Sequence, residues 1–407
     1  MIIREEEEVE PPHKKKNLAR VPPFLVQPCH TFSSLPVEIA VNCIARISIS
    51  YYPKLSLVSK AFRSIISSPE LYAARSQTGT AEICLYTCLR FSTIHFTPPT
   101  RRWFKLWMRP KPNLTDGITI EKPFGNIFVP FTNDSPRPPY SKSTVAIGSE
   151  IFLFGGPTEG DFEPSSAVRV YDCRNATWRN LPDMKMERSY ASSCVLDDKI
   201  YVMGGCRAWY EDQSWFEMFD MKTQSWKTLP AHPERNVRLG HTVRKIGVVE
   251  GNIYVKTGSQ ELKDWIYDVK ESKWSVADWS LSARWSNSRC VVENVMYCYN
   301  SSRYVWYDLE GKVWRDVKGL EELRKYRSLC TTGYPNCVVE MVNYGGKLAI
   351  VWDKFERGGR QTKNIWCAVV ELKKCPGGVV WGKTEWSGIV VKVPKSYDFL
   401  RCLAVSV

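Results

Sequence analysis

The run Ile200-Tyr-Val-Met-Gly-Gly205, followed by Phe219-Asp-Met-Lys-Thr-Gln-Ser-Trp226, decides how this chain folds. An apolar run rich in β-formers ends in two glycines; an aromatic residue then precedes Asp, and Trp comes six residues after that Asp. The pattern recurs at Tyr171-Asp172 with Trp178, Tyr267-Asp268 with Trp274 and Tyr307-Asp308 with Trp314, so the tryptophans fall 48, 48 and 40 residues apart. Upstream of each pair lies an apolar run: Ile151–Phe154, Ile200–Met203, Ile253–Val255 and Val295–Tyr299. Gly155-Gly156 repeats the double glycine, the third copy keeps only Gly258, and the fourth has neither. Repetition at this interval marks a stacked supersecondary unit.

The unit has a physical reading. Two glycines after a buried strand allow positive φ and close backbone approach. The aromatic before Asp and the later Trp are expected to face each other on neighbouring strands. One such sheet cannot bury both faces, but copies closed into a ring can. A fifth copy is read at Leu348–Val351, Ile365–Leu372 and Trp381. A sixth is assembled from both ends, with Ile83–Leu89 and Trp103-Phe104 as its last two strands and Phe399–Val405 as its inner strand. Residues 80–407 are thus expected to form a propeller of six blades, closed by the C-terminal strand. Residues 109–142, with seven prolines, read as a long surface connection.

Before the ring, residues 31–76 read as helical. Ser33 and Ser34 precede Leu35-Pro36, a helix start signal. Apolar stripes follow at Ile39, Cys43, Ile44 and Ile47, then at Leu55, Val58, Phe62, Ile65 and Ile66, with Pro69 closing the stretch. So small an all-α unit has too little core to stand alone and is expected to present an apolar face to a partner. Residues 1–30, with Glu5–Glu8, Lys14–Lys16 and five prolines, read as a disordered tail.

Composition narrows the function. The chain has 407 residues, 43% hydrophobic and 24% charged. No apolar run approaches the roughly 18 residues of a membrane span. The start lacks a basic segment followed by an apolar one, so the expected location is the nucleus and/or cytoplasm. The 14 cysteines include no Cys-x-x-Cys, and most lie in strand-like runs, as buried free thiols would. The five histidines are scattered, so neither a metal nor another cofactor is expected. There is no Gly-x-Ser-x-Gly, phosphate-cradling glycine loop or His-Glu-x-x-His, which argues against an enzyme. The net charge of +13 lies in the folded part, because the tail's charges cancel. The charge fits an acidic partner or nucleic acid without specifying either, and equally a surface that serves solubility; of the partners, nucleic acid is not the one expected.

Arginines also recur. Arg188, Arg238, Arg284 and Arg327, with Arg137 roughly equivalent, each precede a predicted inner strand. A ring of them at one mouth would bind an acidic or phosphorylated substrate segment. The alternative is that they are structural, pairing with carbonyls or acids between blades.

The motifs resemble two known families in series. Leu35-Pro36 with Ile39, Ile44 and Ile47, then Leu57-Val-Ser-Lys60, Phe62-Arg63, Ile65-Ile66 and Ser68-Pro-Glu-Leu71, resemble the F-box. The later repeats resemble kelch repeats, strongly in two copies and loosely in the rest. The order looks like that of the plant F-box/kelch-repeat proteins. The resemblance implies a substrate-recognition subunit of an SCF-type (Skp–cullin–F-box) ubiquitin ligase. Its F-box would dock on a Skp-like linker protein, and through it a cullin, while its propeller holds a substrate protein. Carried over by position, Leu35, Pro36, Ile39, Ile44, Val58, Ser59 and Lys60 would touch the linker, although Ile44 and Val58 could instead pack the helices together. Such a chain has no catalytic site and acts by raising effective concentration. A kelch scaffold outside ubiquitination is the alternative.

Overall fold

The computed structural model describes residues 32–91, 100–107, 126–130, 143–156, 164–206, 215–230, 243–257, 263–277, 288–300, 303–323, 339–355 and 361–407. The tail read at 1–30 lies outside them.

Four helices form the head: α1 (Val37–Ala45), α2 (Tyr52–Val58), α3 (Lys60–Ile66) and α4 (Pro69–Gln77). Their ends follow from local chemistry. The Ser59 hydroxyl accepts the Phe62 N–H at 3.2 Å and caps α3, and the Ser68 hydroxyl accepts that of Leu71 at 3.4 Å and caps α4. Pro69, read as closing the helical stretch, instead opens α4 at a position where a missing N–H costs nothing. α1 turns Ala40, Val41, Ile44 and Ala45 inward. Val41, Ile44 and Ala45 join Tyr52 and Leu71 in a core that continues into the ring through Cys84, Tyr86, Leu403 and Val405.

Arg75 ties head to ring. It is 1% exposed and donates to the carbonyls of Ala45 (3.0 Å), Ile47 (2.7 Å) and Thr80 (2.6 Å), to the Tyr52 hydroxyl (2.9 Å) and to Glu82 Oε1 (3.0 Å). Glu82 also accepts the Ile49 N–H at 3.1 Å, and its backbone pairs both ways with Val407. The helices are therefore anchored where the ring closes.

The ring consists of six four-stranded antiparallel sheets. Their inner strands are Thr144–Ile147, Ser192–Leu196, Val243–Val249, Arg289–Val292, Val339–Tyr344 and Tyr397–Ser406, in blades one to six, and each meets the next around the axis. In blade six the C-terminal strand pairs with Ile83–Phe91, so the first and last strands of the ring share one sheet. The expected place of Ile83–Leu89 and Trp103-Phe104 is corrected: they belong to the two middle strands. The outer strand is Ile127–Pro130, which lies inside the stretch read as a connection. It is four residues long and flanked by prolines, so period-2 patterning had little length in which to show.

The repeat works as its chemistry suggests. Tyr171 faces Trp178, Phe219 faces Trp226, Tyr267 faces Trp274 and Tyr307 faces Trp314, with ring centroids 4.9, 5.0, 4.9 and 5.1 Å apart. The repeated Asp closes the turn between the two strands: its carboxylate accepts the backbone N–H of Arg174 (3.0 Å), Lys222 (2.8 Å), Lys270 (2.9 Å) and Gly311 (3.3 Å) in the four copies. Each turn then passes through a left-handed residue, Ala176, Gln224, Ser272 or Lys312. Between blades, Trp226 Nε1 donates to the Pro182 carbonyl at 2.8 Å and Trp274 Nε1 to that of Pro230 at 3.3 Å. Gly155 and Gly205 both have positive φ, and a Cβ on either would collide with the backbone at Arg188 or Ser189.

Blade five departs from this scheme. Trp381 lies on the outer strand as expected, but it faces Lys373 and is 49% exposed. Strands of 14 and 16 residues carry this blade instead. It joins the closing strand through buried Asp353, which accepts from Lys363 Nζ at 2.8 Å and Tyr397 Oη at 2.9 Å.

Candidate functional site

The head's two faces differ sharply. Ile44 is fully buried, so its assignment as a linker contact is corrected: it packs α1 into the core, and its carbonyl accepts the Tyr52 hydroxyl at 3.1 Å. Burial pushes the Tyr52 hydroxyl upward despite the opposing Arg75 guanidinium, so it stays protonated and can donate. The other candidates point outward. Leu35 is 38% exposed, Ile39 49% and Val58 68%, and Pro36, Ser59 and Lys60 are exposed. Val58 therefore does not serve only to pack helices. Two further exposed apolar residues were not among the candidates: Val37, 68% exposed, and Leu57, 78% exposed. Both sit one position from a named candidate, on the side that helical periodicity assigns to solvent. Exposed apolar residues at the start of α1 and the end of α2 are what a soluble head would avoid unless a partner covered them.

The expected arginine rim fares differently. Arg188 is at the predicted place, before the inner strand of blade two, but it is fully buried. Its assignment as a substrate-binding residue is corrected. Its guanidinium meets equally buried Glu217 at 2.8 Å and donates to the carbonyls of Gly204 (2.7 Å) and Trp215 (2.8 Å). Its backbone bonds to Gly156 (2.9 Å) and Ser165 (3.0 Å) of blade one. Glu217 in turn accepts the N–H groups of Lys185 (2.8 Å) and Met186 (3.1 Å). Arg188 is thus a staple between blades one and two, and the ion-pair satisfaction that buried charges require is met on the spot. Arg137, Arg238, Arg284 and Arg327 lie outside the described residues.

All five histidines also lie outside the described residues, and among those residues no three His, Cys, Asp or Glu side chains gather as a metal site. The described cysteines are free thiols. Burial pushes Cys88, Cys194, Cys290 and Cys402 up to about 12, which keeps them neutral and unreactive.

Comparison with known proteins places these features in a lineage. The F-box domain model matches residues 32–73, and the FKB95 Kelch-repeats domain model matches residues 103–391. Three Arabidopsis thaliana proteins are similar throughout. F-box/kelch-repeat protein At4g29370 is 53% identical over 98% of this chain and 99% of its own length. F-box/kelch-repeat protein At5g39560 is 41% identical over 98% and 97%, respectively. F-box/kelch-repeat protein At4g39550 is 38% identical over 97% and 99%.

Proposed function

The chain belongs to the F-box/kelch-repeat family, and from that premise we propose that it is the substrate-recognition subunit of an SCF-type ubiquitin ligase. Its architecture is that of an adaptor: a head with an uncovered apolar face and a propeller beside it. The observation that carries the reading is the outward set Leu35, Val37, Ile39, Leu57 and Val58 on a head whose remaining large aliphatic residues are buried or half-buried. A Skp-like linker protein covers this face and brings a cullin with it. Anchored through Arg75 and Glu82, the head holds the propeller at a defined place beside the ligase. A substrate bound there is then held near a ubiquitin-charged enzyme. The rate gain is one of effective concentration, with no bond made or broken by this chain. The net charge of +13 favours an acidic substrate surface. The free thiols fit a reducing compartment, nucleus or cytoplasm.

The test is co-purification of the full chain with a Skp-like linker protein. Leu57→Asp/Val58→Asp places two charges in the covered face and is expected to weaken binding at least ~30-fold, the size of one interface hot spot. Leu35→Ala/Pro36→Ala should weaken it in the same direction. A wild-type chain that binds no such linker, or a double-Asp variant that binds as well as wild type, would overturn the assignment.

A further inference from the structure

The outer hairpin of blade five outgrows its sheet. The last pair with the neighbouring strand Lys347–Phe355 is Leu348 with Val370. The two outer strands go on pairing beyond it, from Glu371 with Lys383 to Cys375 with Val379. A two-stranded ribbon therefore projects past the blade. One face of it is packed. Val380 is buried with Val317 and Leu320, which follow the outer strand of blade four. The Lys318 N–H donates to the Val380 carbonyl at 3.0 Å, and the Gly382 N–H donates to the Lys318 carbonyl at 2.8 Å. Gly382 leaves the space this contact needs, since a Cβ there would come within 2.8 Å of Leu320. Lys374 Nζ lies over the Trp306 ring, 5.8 Å from its centroid. The ribbon is thus fastened to blade four before any partner arrives.

Its other face is bare. Successive side chains of a strand alternate between faces, so Val379, Trp381 and Lys383 share one face with Lys373 and Cys375 across the ribbon. Trp381, Lys373 and Lys383 are exposed. The indole is seated: it lies over Gly319, at φ +79°, where a Cβ would come within 3.1 Å of its ring. In the repeated motif, by contrast, Trp226 and Trp314 are buried. Among the described residues neither lysine is held in an ion pair. Glu371 stands opposite Lys383 without bridging to it, and Glu385 is taken by Lys347 at 2.6 Å. Exposed lysines alone are an ordinary solvated surface. A seated, half-exposed indole between two of them is not, because a rigid Trp anchors an interface at low entropic cost.

We propose that this outer face of blade five is a docking site for an acidic, extended protein segment, which sets an apolar side chain on Trp381 and carboxylates on Lys373 and Lys383. A protein segment is favoured over nucleic acid. Single-stranded nucleic acid is held by successive aromatic platforms along a continuous cationic groove, whereas this ribbon offers one indole and interrupts its lysines with Glu371 and Glu385. The surface belongs to the propeller itself; only calling its partner the ligase substrate rests on the reading above.

The test is fluorescence anisotropy of the full chain with a labelled peptide carrying one leucine among glutamates, beside the same peptide with lysines in place of the glutamates. No linker protein is present, so the result is independent of the ligase reading. Saturable binding of the acidic peptide is expected. Trp381→Ala should weaken it at least ~30-fold, as loss of an interface anchor does. Lys373→Glu/Lys383→Glu should weaken it about fivefold or more, with the effect shrinking in high salt. Both variants should melt with the wild type, because they change only exposed side chains, so misfolding cannot account for the loss. The proposal is overturned if the acidic peptide binds no more tightly than its lysine counterpart, or if Trp381→Ala leaves the affinity unmoved. Single-stranded oligothymidylate that binds more tightly than the acidic peptide would overturn the protein assignment.

Discussion

In the head, Leu57 and Val58 leave 78% and 68% of their surface in solvent; in the ring, Phe219 and Tyr267 of the repeated motif leave 0% and 1%. Both sets belong to the motifs that identify their regions. The ring's signature residues are spent on the ring itself: the aromatic pair fills the sheet, the Asp closes the turn, and Arg188 staples two blades. The head's signature residues divide. Ile44 and Leu71 hold the helices, while Leu35, Ile39, Leu57 and Val58 stay exposed. A motif turned inward describes a fold, and one turned outward describes a partner. For Arg188 the structural alternative holds.

The sharpest way to break this contrast is Arg188→Met. Removing one partner of a buried pair strands Glu217 and three carbonyl or thiol contacts, so a loss of about 3–5 kcal/mol is expected in chemical denaturation. Linker capture by the fraction that remains folded should be unchanged. A substrate-binding Arg188 would instead leave stability normal.

Lys245→Met should act in the opposite direction and more weakly. Burial on the inner strand of blade three makes Lys245 release its proton at about 8 in the folded chain, against its ordinary 10.5 when unfolded. Between those values the unfolded chain binds more protons, so wild-type stability gains as pH climbs through that window. Melting curves should therefore show the variant a few degrees more stable at pH 7, with the gap closing above about pH 8. Glu340, Arg289, Arg401 and Cys290 are the other ionisable groups around this lysine. A gap that stays constant with pH would mean that the buried ammonium is not what costs stability.

Trp226→Phe keeps the ring against Phe219 but deletes the indole donor to Pro182. The expected cost is about 1 kcal/mol, one net hydrogen bond. The smallest effect on stability is expected from Leu57→Asp/Val58→Asp, within ~0.5 kcal/mol, as for surface positions. A large loss of stability there would show that these residues belong to the head's own core, and would erase the contrast.

Much of this was legible in the chain itself. The period of the Trp residues, the double glycines and the closing role of Phe399–Val405 follow from patterns that are local or simply repeated. So do the helical stripes around Ile44 and Phe62. The outer strand of blade six escaped notice because four residues beside prolines carry almost no pattern. Val37 and Leu57 escaped because periodicity separates core from surface but does not rank one exposed apolar residue against another. For Arg188 the sequence left a binding and a structural role open, since its partner Glu217 is not adjacent to it in the chain.

Local spacing and residue chemistry determined by themselves that there would be a helical head, recurring four-stranded units and a ring joined by its last strand. Those properties depend on neighbours a few residues apart, or on copies of one unit. Only the tertiary structure decided which arginine is buried, which apolar side chains stay bare, and which charges share the axis. Lys245 and Arg401 come near one another only because the ring closes, and distances of that kind are set by the fold rather than by spacing along the chain.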